Sequence, residues 1–196
     1  MIYSSHKAVP NDLCDVTLRA LDIVVPLEGY IGNALSDKAF RQSQVRWLRD
    51  NEYWHELSMF VQTVGSTFGL QYWGYDDLVL EPLQLATYKV GDFYDWHLDS
   101  PPEGPRRLSL TLQLSDTSEY EGGDLEFKEY TLNAEAYEKG SITMFDSSHY
   151  HRVSPVTKGV RHSLVGWFRY TPPPLKIKLD LQVKFNYNIP NEYFYT

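Results

Sequence analysis

From Leu80 onward the apolar residues recur at every second position, and that period decides what the chain can fold into. The segment RRLSLTLQLSD (106–116) is the clearest case. Leu108, Leu110, Leu112 and Leu114 fall on one face of an extended strand, and Ser109, Thr111 and Gln113 fall on the other. A helix would scatter the same leucines around its axis. LQLATYKV (83–90) reads as a strand entering a turn at Gly91-Asp92. EYEGGDLEFKEY (119–130) reads as a turn at Gly122-Gly123 and then a strand, and KGSITMFDSS (139–148) as a short strand after a Lys-Gly turn. HYHRVSPV (149–156) and VRHSLVGWFRY (160–170) read as two strands joined by a turn at Thr157–Gly159. Many short strands separated by turns imply a sandwich or a jelly roll.

Before Leu80 the period is helical. In NDLCDVTLRALDIV (11–24), Asn11 is placed to cap, and Leu13, Val16 and Ala20 form a stripe. In NEYWHELSMFVQTVGSTFGL (51–70), Asn51 is placed to cap, Trp54, Leu57, Val61, Val64 and Phe68 share a face, and Gly69 reads as the stop. We therefore expect a mainly β (α+β) domain over 1–170, with helical support in 1–79 and a strand core in 80–170. TPPP (171–174) punctuates the chain, and LKIKLDLQVKFNYN (175–188) alternates again. Residues 171–196 read as one more strand, or as an arm that pairs with a second copy in a homodimer.

Aromatic residues at 15%, including 15 Tyr, suit a β-rich core. A net charge of −8 weighs against an electrostatic nucleic-acid binder. The single cysteine, Cys14, excludes an intramolecular disulfide and a cysteine-only metal site; on a helix it reads as a small buried residue. No stretch has the apolar core of a signal peptide or the length of a membrane span, so we expect a cytoplasmic protein with no membrane partner.

YDWHLDS (94–100) carries the chemistry. On a strand, residues i and i+2 share a face, so His97 and Asp99 point one way while Trp96, read as core, and Leu98 point the other. One imidazole and one carboxylate are two of the three ligands of a 2-His-1-carboxylate triad, which holds non-haem Fe(II) and leaves positions open. An H-x-D pair alone is weak evidence. SSHYHRVSPVTKGVRHS (147–163) offers His149, His151 and His162 as the third ligand. His151 is favoured because it opens an alternating strand. It also stands ten residues before Arg161, so pairing across the Thr157–Gly159 turn would set the two side by side. A metal ligand beside an arginine suits a co-substrate that chelates the metal at one end and presents a carboxylate at the other. Ser163 shares Arg161's face. His149 shares the face of His151 and stays open as the ligand. Arg107 reads as a strand flank, Arg106 stays open as an anchor for an anionic group at the site's mouth, and Gly122-Gly123 reads as turn geometry.

Tyr88, Gly91, Tyr94, His97 and Asp99 form Y-x-x-G-x-x-Y-x-x-H-x-D. RRLSLTLQLSD, YEGGDLEF and KGSITMFDSSHYHRVSPVTKGVR follow in order. In order and spacing this resembles the 2-oxoglutarate and Fe(II)-dependent dioxygenases, most closely the prolyl-4-hydroxylase-like branch with the bacterial PKHD-type hydroxylases. The match covers about Tyr88 to Tyr170. SDKAFRQSQVRWL (36–48) resembles, less specifically, the segment that precedes this core. The resemblance implies a double-stranded β-helix, that is, a cupin-like jelly roll. It implies Fe(II) on His97, Asp99 and His151, 2-oxoglutarate with its C5 carboxylate on Arg161, and dioxygen as co-substrate. L-ascorbate would be an accessory. Tyr88, Ser163, Thr111 and Gln113 are further candidates for the co-substrate pocket.

The implied reaction hydroxylates a substrate C–H and releases succinate and CO2. The substrate it points to first is a prolyl or other side chain in a peptide or protein, then a free amino acid, then a nucleobase, which the acidic balance weakens. The rival from another class is a non-enzymatic jelly-roll binding or assembly module. One departure stands out. Animal prolyl hydroxylases of collagen type often carry lysine where this chain has Arg161, so a collagen-type substrate does not follow.

Overall fold

A computed structural model describes residues 1–28, 30–31, 34–35, 39–49 and 54–170; Asn51, the expected cap, and the 171–196 segment lie outside them. In chain order the strands are β1 (Ile2–Ser5), β2 (Leu27–Glu28), β3 (Tyr30–Ile31), β4 (Ala34–Leu35), β5 (Arg41–Gln42) and β6 (Gln44–Leu48). They continue as β7 (Leu78–Leu80), β8 (Leu83–Lys89), β9 (Phe93–His97), β10 (Arg106–Gln113), β11 (Tyr120–Gly122) and β12 (Leu125–Phe127). The last are β13 (Ile142–Asp146), β14 (His151–Val153) and β15 (Val156–Tyr170). The helices are α1 (Asn11–Leu18), α2 (Ala20–Ile23) and α3 (His55–Phe68). No helix among the described residues is long and apolar enough to cross a membrane.

The strands make two principal antiparallel sheets. The larger runs β1-β13-β10-β15-β8-β6-β2, with β7 and β11 added along β15; the smaller runs β12-β14-β9-β5. The support before Leu80 is not purely helical. β1 pairs with β13, β6 with β8 and β5 with β9, so this segment extends both sheets.

β10 shows why the alternation matters. Its leucine face is buried with Leu57 and Val61 of α3 in the main core, and its Ser-Thr-Gln face is buried too, toward the space between the sheets. A strand covered on both faces is the centre of a layered structure rather than its rim. On α3, Trp54, Leu57 and Val61 are buried as the stripe requires, and Val64 and Phe68 pack at its border. Gly65 faces the ring of Phe168, where an added Cβ would lie 2.1 Å from its carbons.

Three local expectations fail. Gly69 does not end the helix. It is right-handed and packs against Leu78, and the chain makes a further π turn (Gly69–Trp73) before Gly74 stops it at φ 73°. Asn11 does not cap α1; Pro10 holds that position with no side-chain cap, and Cys14, Thr17 and Ala20 face inward while Val16 is exposed. Thr157–Gly159 is not a hairpin turn. β15 runs unbroken through it, with Gly159 at φ 70° where β11 crosses so closely that an added Cβ would meet the Glu119 carbonyl at 1.9 Å. β14 and β15 therefore do not pair with each other. The chain leaves the smaller sheet at Ser154–Pro155 and enters the larger one.

Candidate active site

β9 and β14 are neighbours in the smaller sheet, with His97 and His151 in direct register. Their rings lie 4.2 Å apart between centroids. Asp99 sits just beyond the end of β9, in a bend where its N–H and that of Ser100 donate to the Ser147 carbonyl. The face-sharing argument for His97 and Asp99 thus gives the right neighbourhood, although only His97 is on a strand. Asp99 Oδ1 is 3.7 Å from His97 Nε2, and Oδ2 is 3.6 Å from His151 Nε2. One ligand atom from each residue lies within 4.8 Å of the others.

The imidazoles are oriented from behind. Nδ1–H of His97 donates to Asp95 O at 2.7 Å, and Nδ1–H of His151 donates to His149 O at 2.9 Å. Each Nε2 is then left with its lone pair toward the cluster. Tyr94 stacks on the His97 ring at 3.5 Å and 14°, and the Arg41 guanidinium lies 4.4 Å from the centre of the Tyr94 ring. Burial, followed by His151, pushes the His97 pKa down to about 3, against the pull of Asp99. Burial works against the Asp99 carboxylate, but His151, His97, Ser109 and Trp167 together hold its pKa below the usual carboxylate range. The donor set at neutral pH includes a neutral His97 imidazole and an ionised carboxylate, the forms of these two groups that bind a dication.

His149 is not part of this cluster. Its Nε2 is 2.9 Å from the Met1 amino group and its Nδ1 faces Glu129. His162 points to the other face of β15, with Nδ1 3.1 Å from Thr87 Oγ1, and burial lowers its pKa to about 4.

The cluster opens into a cavity between the sheets. Arg161 lies across it from the smaller sheet. The two are brought together by sheet-on-sheet packing and not by a shared hairpin. Its guanidinium is 1% exposed. NH2 donates to Gln113 Oε1 at 2.9 Å, NH1 reaches Ser163 Oγ at 3.5 Å, and Nε has no partner. Among the described residues no carboxylate pairs with it. A buried cation with only neutral partners is costly, and an anion entering the cavity would relieve that cost. Tyr88, in register with Arg161 on β8, lies with its ring 5.7 Å from the guanidinium; Thr111 and Ser163 line the same cavity. Gln113 does not line it and instead holds Arg161 from the side.

Arg41, Gln84, Tyr94 and Trp167 are among the lining residues not assigned from the sequence. Trp167 was legible, because Arg161, Ser163, Val165 and Trp167 follow one another at i+2 along β15. Arg41 sits on a two-residue strand, too short to show a period. Arg106 is spent elsewhere. It makes a bidentate pair with Glu81 at 2.6–3.1 Å and stacks 4.2 Å over Trp167. Trp96 is half-buried on the outer face of the smaller sheet, beneath Arg152 and Lys128, and is not core.

A family model described as the 2OG-Fe(II) oxygenase superfamily matches residues 83–169. This core is similar to the 2OG-Fe(II) oxygenase superfamily. A PKHD-type hydroxylase of Synechococcus sp. (strain CC9902) is 47% identical over 91 residues, covering 42% of this chain and 39% of its own. One of Idiomarina loihiensis is 34% identical over 131 residues, covering 59% and 60%. The chain thus spans less than two thirds of either relative's length. Among solved structures, a Pseudomonas putida prolyl-4-hydroxylase superposes with a TM-score of 0.67 at 21% identity, over 86% of this chain and 92% of that one. A Trichoplax adhaerens prolyl hydroxylase, solved with a hypoxia inducible factor oxygen degradation domain peptide fragment, superposes with a TM-score of 0.70 at 16% identity, over 86% and 83%. These likenesses establish the jelly-roll fold. The superfamily's cofactors are Fe(II) and 2-oxoglutarate, with dioxygen as co-substrate, and two imidazoles plus one carboxylate clustered at a cavity wall fit that iron.

Proposed function

We propose that this chain is an Fe(II)- and 2-oxoglutarate-dependent dioxygenase that hydroxylates a side chain of a peptide or protein, a prolyl ring first among them, releasing succinate and CO2. The observation that carries the reading is the coexistence, in one cavity, of the His97-Asp99-His151 cluster and a buried Arg161 that has no counter-ion among the described residues. His97, Asp99 and His151 would hold the iron. Arg161 would hold the C5 carboxylate of 2-oxoglutarate, with Ser163, Thr111 and Tyr88 around it and Gln113 fixing the guanidinium. When bound, iron and 2-oxoglutarate supply dioxygen activation and the oxidation of the C–H bond.

The protein's own work is positional. The Nδ1 bonds to Asp95 and His149 keep both Nε2 atoms facing inward. Leu125, Phe145, Val153 and Val165 line the cavity with hydrocarbon and keep water away from the reacting centre. Trp167, with Trp47 5.9 Å from it, presents a flat apolar wall suited to a saturated ring. The peptide complex of the Trichoplax enzyme supports a peptide substrate by analogy of fold alone.

One feature favours a second reading. Arg41 puts another guanidinium on the cavity wall, bonded to Ser43 Oγ at 2.9 Å and Gln84 Oε1 at 3.0 Å. A free amino acid would use it to hold its α-carboxylate. Succinate release under air, across proline-containing peptides and free amino acids, separates the two. Anaerobic Fe(II) with 2-oxoglutarate should also give a weak visible charge-transfer band that His97→Ala abolishes. No band in the wild-type protein, and no succinate with any panel member, would refute the dioxygenase reading and leave a binding module.

A further inference from the structure

The carboxylate of the cluster has two oxygens, and one of them is already engaged. Ser109 Oγ donates to Asp99 Oδ2 at 2.6 Å, in the range of a charge-assisted O–H···O bond. Ser109 Oγ also lies 2.9 Å from Ser147 Oγ, and both serines are wholly buried. A hydroxyl has one proton. With that of Ser109 given to the carboxylate, Ser147 must be the donor between the two serines. Ser147 further accepts the Asp99 and Ser100 N–H groups on its carbonyl, at 3.0 and 3.1 Å, and donates its own N–H to Arg107 O. It thus fixes the main chain beneath Asp99 directly and the Asp99 side chain through Ser109. Two strands of the larger-sheet scaffold meet here, since Ser109 is on β10 and Ser147 directly follows β13.

We propose that Ser109, backed by Ser147, is a positioning residue that occupies Asp99 Oδ2 and leaves Oδ1 as the carboxylate's single free donor to a metal. The proposal rests on the reading of Asp99 as an iron ligand. Its physical consequence is a limit on coordination. A carboxylate with both oxygens free can bind through both, filling a position that substrate or co-substrate needs; one pinned by a short hydrogen bond is held to one oxygen.

The test is metal binding by the full chain, with Co(II) as the probe. Wild-type protein should bind one equivalent. Ser109→Ala should bind about 10- to 100-fold more weakly, the usual effect of losing an outer-shell partner, with a changed Co(II) visible spectrum as the carboxylate closes on the metal. Ser109→Thr, which keeps the hydroxyl, should restore both affinity and spectrum. Ser147→Ala, which leaves the Ser109 hydroxyl in place, should give a smaller loss in the same direction, and it reads the relay even if the alanine at 109 impairs folding. Unchanged affinity and spectrum in Ser109→Ala, or in Ser147→Ala if the first does not fold, would overturn the proposal. A wild-type protein that takes up no cobalt would instead refute the metal site itself, and this proposal with it.

Discussion

The two sheets divide the work unequally. In the larger sheet β8, β10 and β15 are long and mostly buried, and the leucine face of β10 packs with α3 in the main core. In the smaller sheet the strands are two to five residues long, and the outer face carries half-buried Trp96 and Arg152. All three residues of the His97-Asp99-His151 cluster come from the smaller sheet and its border, whereas Arg161, Ser163, Thr111 and Ser109 come from the larger. A long, doubly covered sheet supplies stability and a rigid floor. A short one, covered on one face, presents ligands. The two should therefore fail differently.

The sharpest contrast lies between chemistry and stability. His151→Ala should remove Fe(II) binding and lower turnover by about 1,000-fold or more, some 4 kcal/mol of barrier. The metal-free protein should keep its thermal midpoint within a few degrees, because the ring lies at the cavity wall and not in the leucine core. A collapse of the midpoint would show that the smaller sheet is held together by its ligands and break the division.

Arg161→Leu probes the larger sheet's inner face. Affinity for 2-oxoglutarate should fall about 100-fold, roughly 3 kcal/mol, in the range for truncating one partner of a buried charge pair. Fe(II) binding should persist. The metal-free variant should be as stable as the wild type or more so, since the substitution replaces a buried cation with only neutral partners by a hydrocarbon. The stabilisation that 2-oxoglutarate gives the wild type should shrink with the lost affinity. Thermal melts with and without 2-oxoglutarate, in the presence of Fe(II) under anaerobic conditions, measure both. The outer face answers oppositely. Leu110→Ala, at a fully buried position, should cost about 3 kcal/mol of unfolding free energy, while 2-oxoglutarate affinity at low temperature stays near that of the wild type.

The same division explains what the sequence disclosed. β10 alternates over eight residues because its two faces meet different surroundings, leucine core and polar cavity, so strand and orientation were both legible. The spacing of His97, Asp99 and His151 was legible through family resemblance, and the i+2 rule along β15 reaches Trp167 as well. What stayed hidden depends on contacts between distant segments. Gly159 looks like a hairpin glycine, yet it is glycine because β11 passes over it. Gly69 looks like a helix stop, yet it is small because Leu78 packs there. The Ser109–Ser147 contact joins β10 to the bend after β13, and no local pattern announces a meeting of two serines 38 residues apart.

His162 tests the outer side of β15 on the smallest scale. It is half-buried, bonded to Thr87 Oγ1 and close to Arg46; burial first, and then Arg46, lowers its pKa to about 4 from an unfolded value near 6.5. As pH falls below about 6.5 the unfolded chain takes up a proton that the folded chain refuses. Stability is therefore lost between about pH 6.5 and pH 4, and this residue's contribution levels off below that. With the ring partly exposed, the loss across that window should be about 2 kcal/mol, somewhat below the full 1.36 kcal/mol per pKa unit. His162→Asn keeps a polar side chain but removes the titration. Urea unfolding at pH 7 and pH 4.5 should give a smaller pH-dependent drop for the variant than for the wild type. Equal drops would assign the acid sensitivity to the cluster of the smaller sheet, where His97 is pushed lower still. The weak point of the structure at low pH would then lie among its ligands and not along its longest strand.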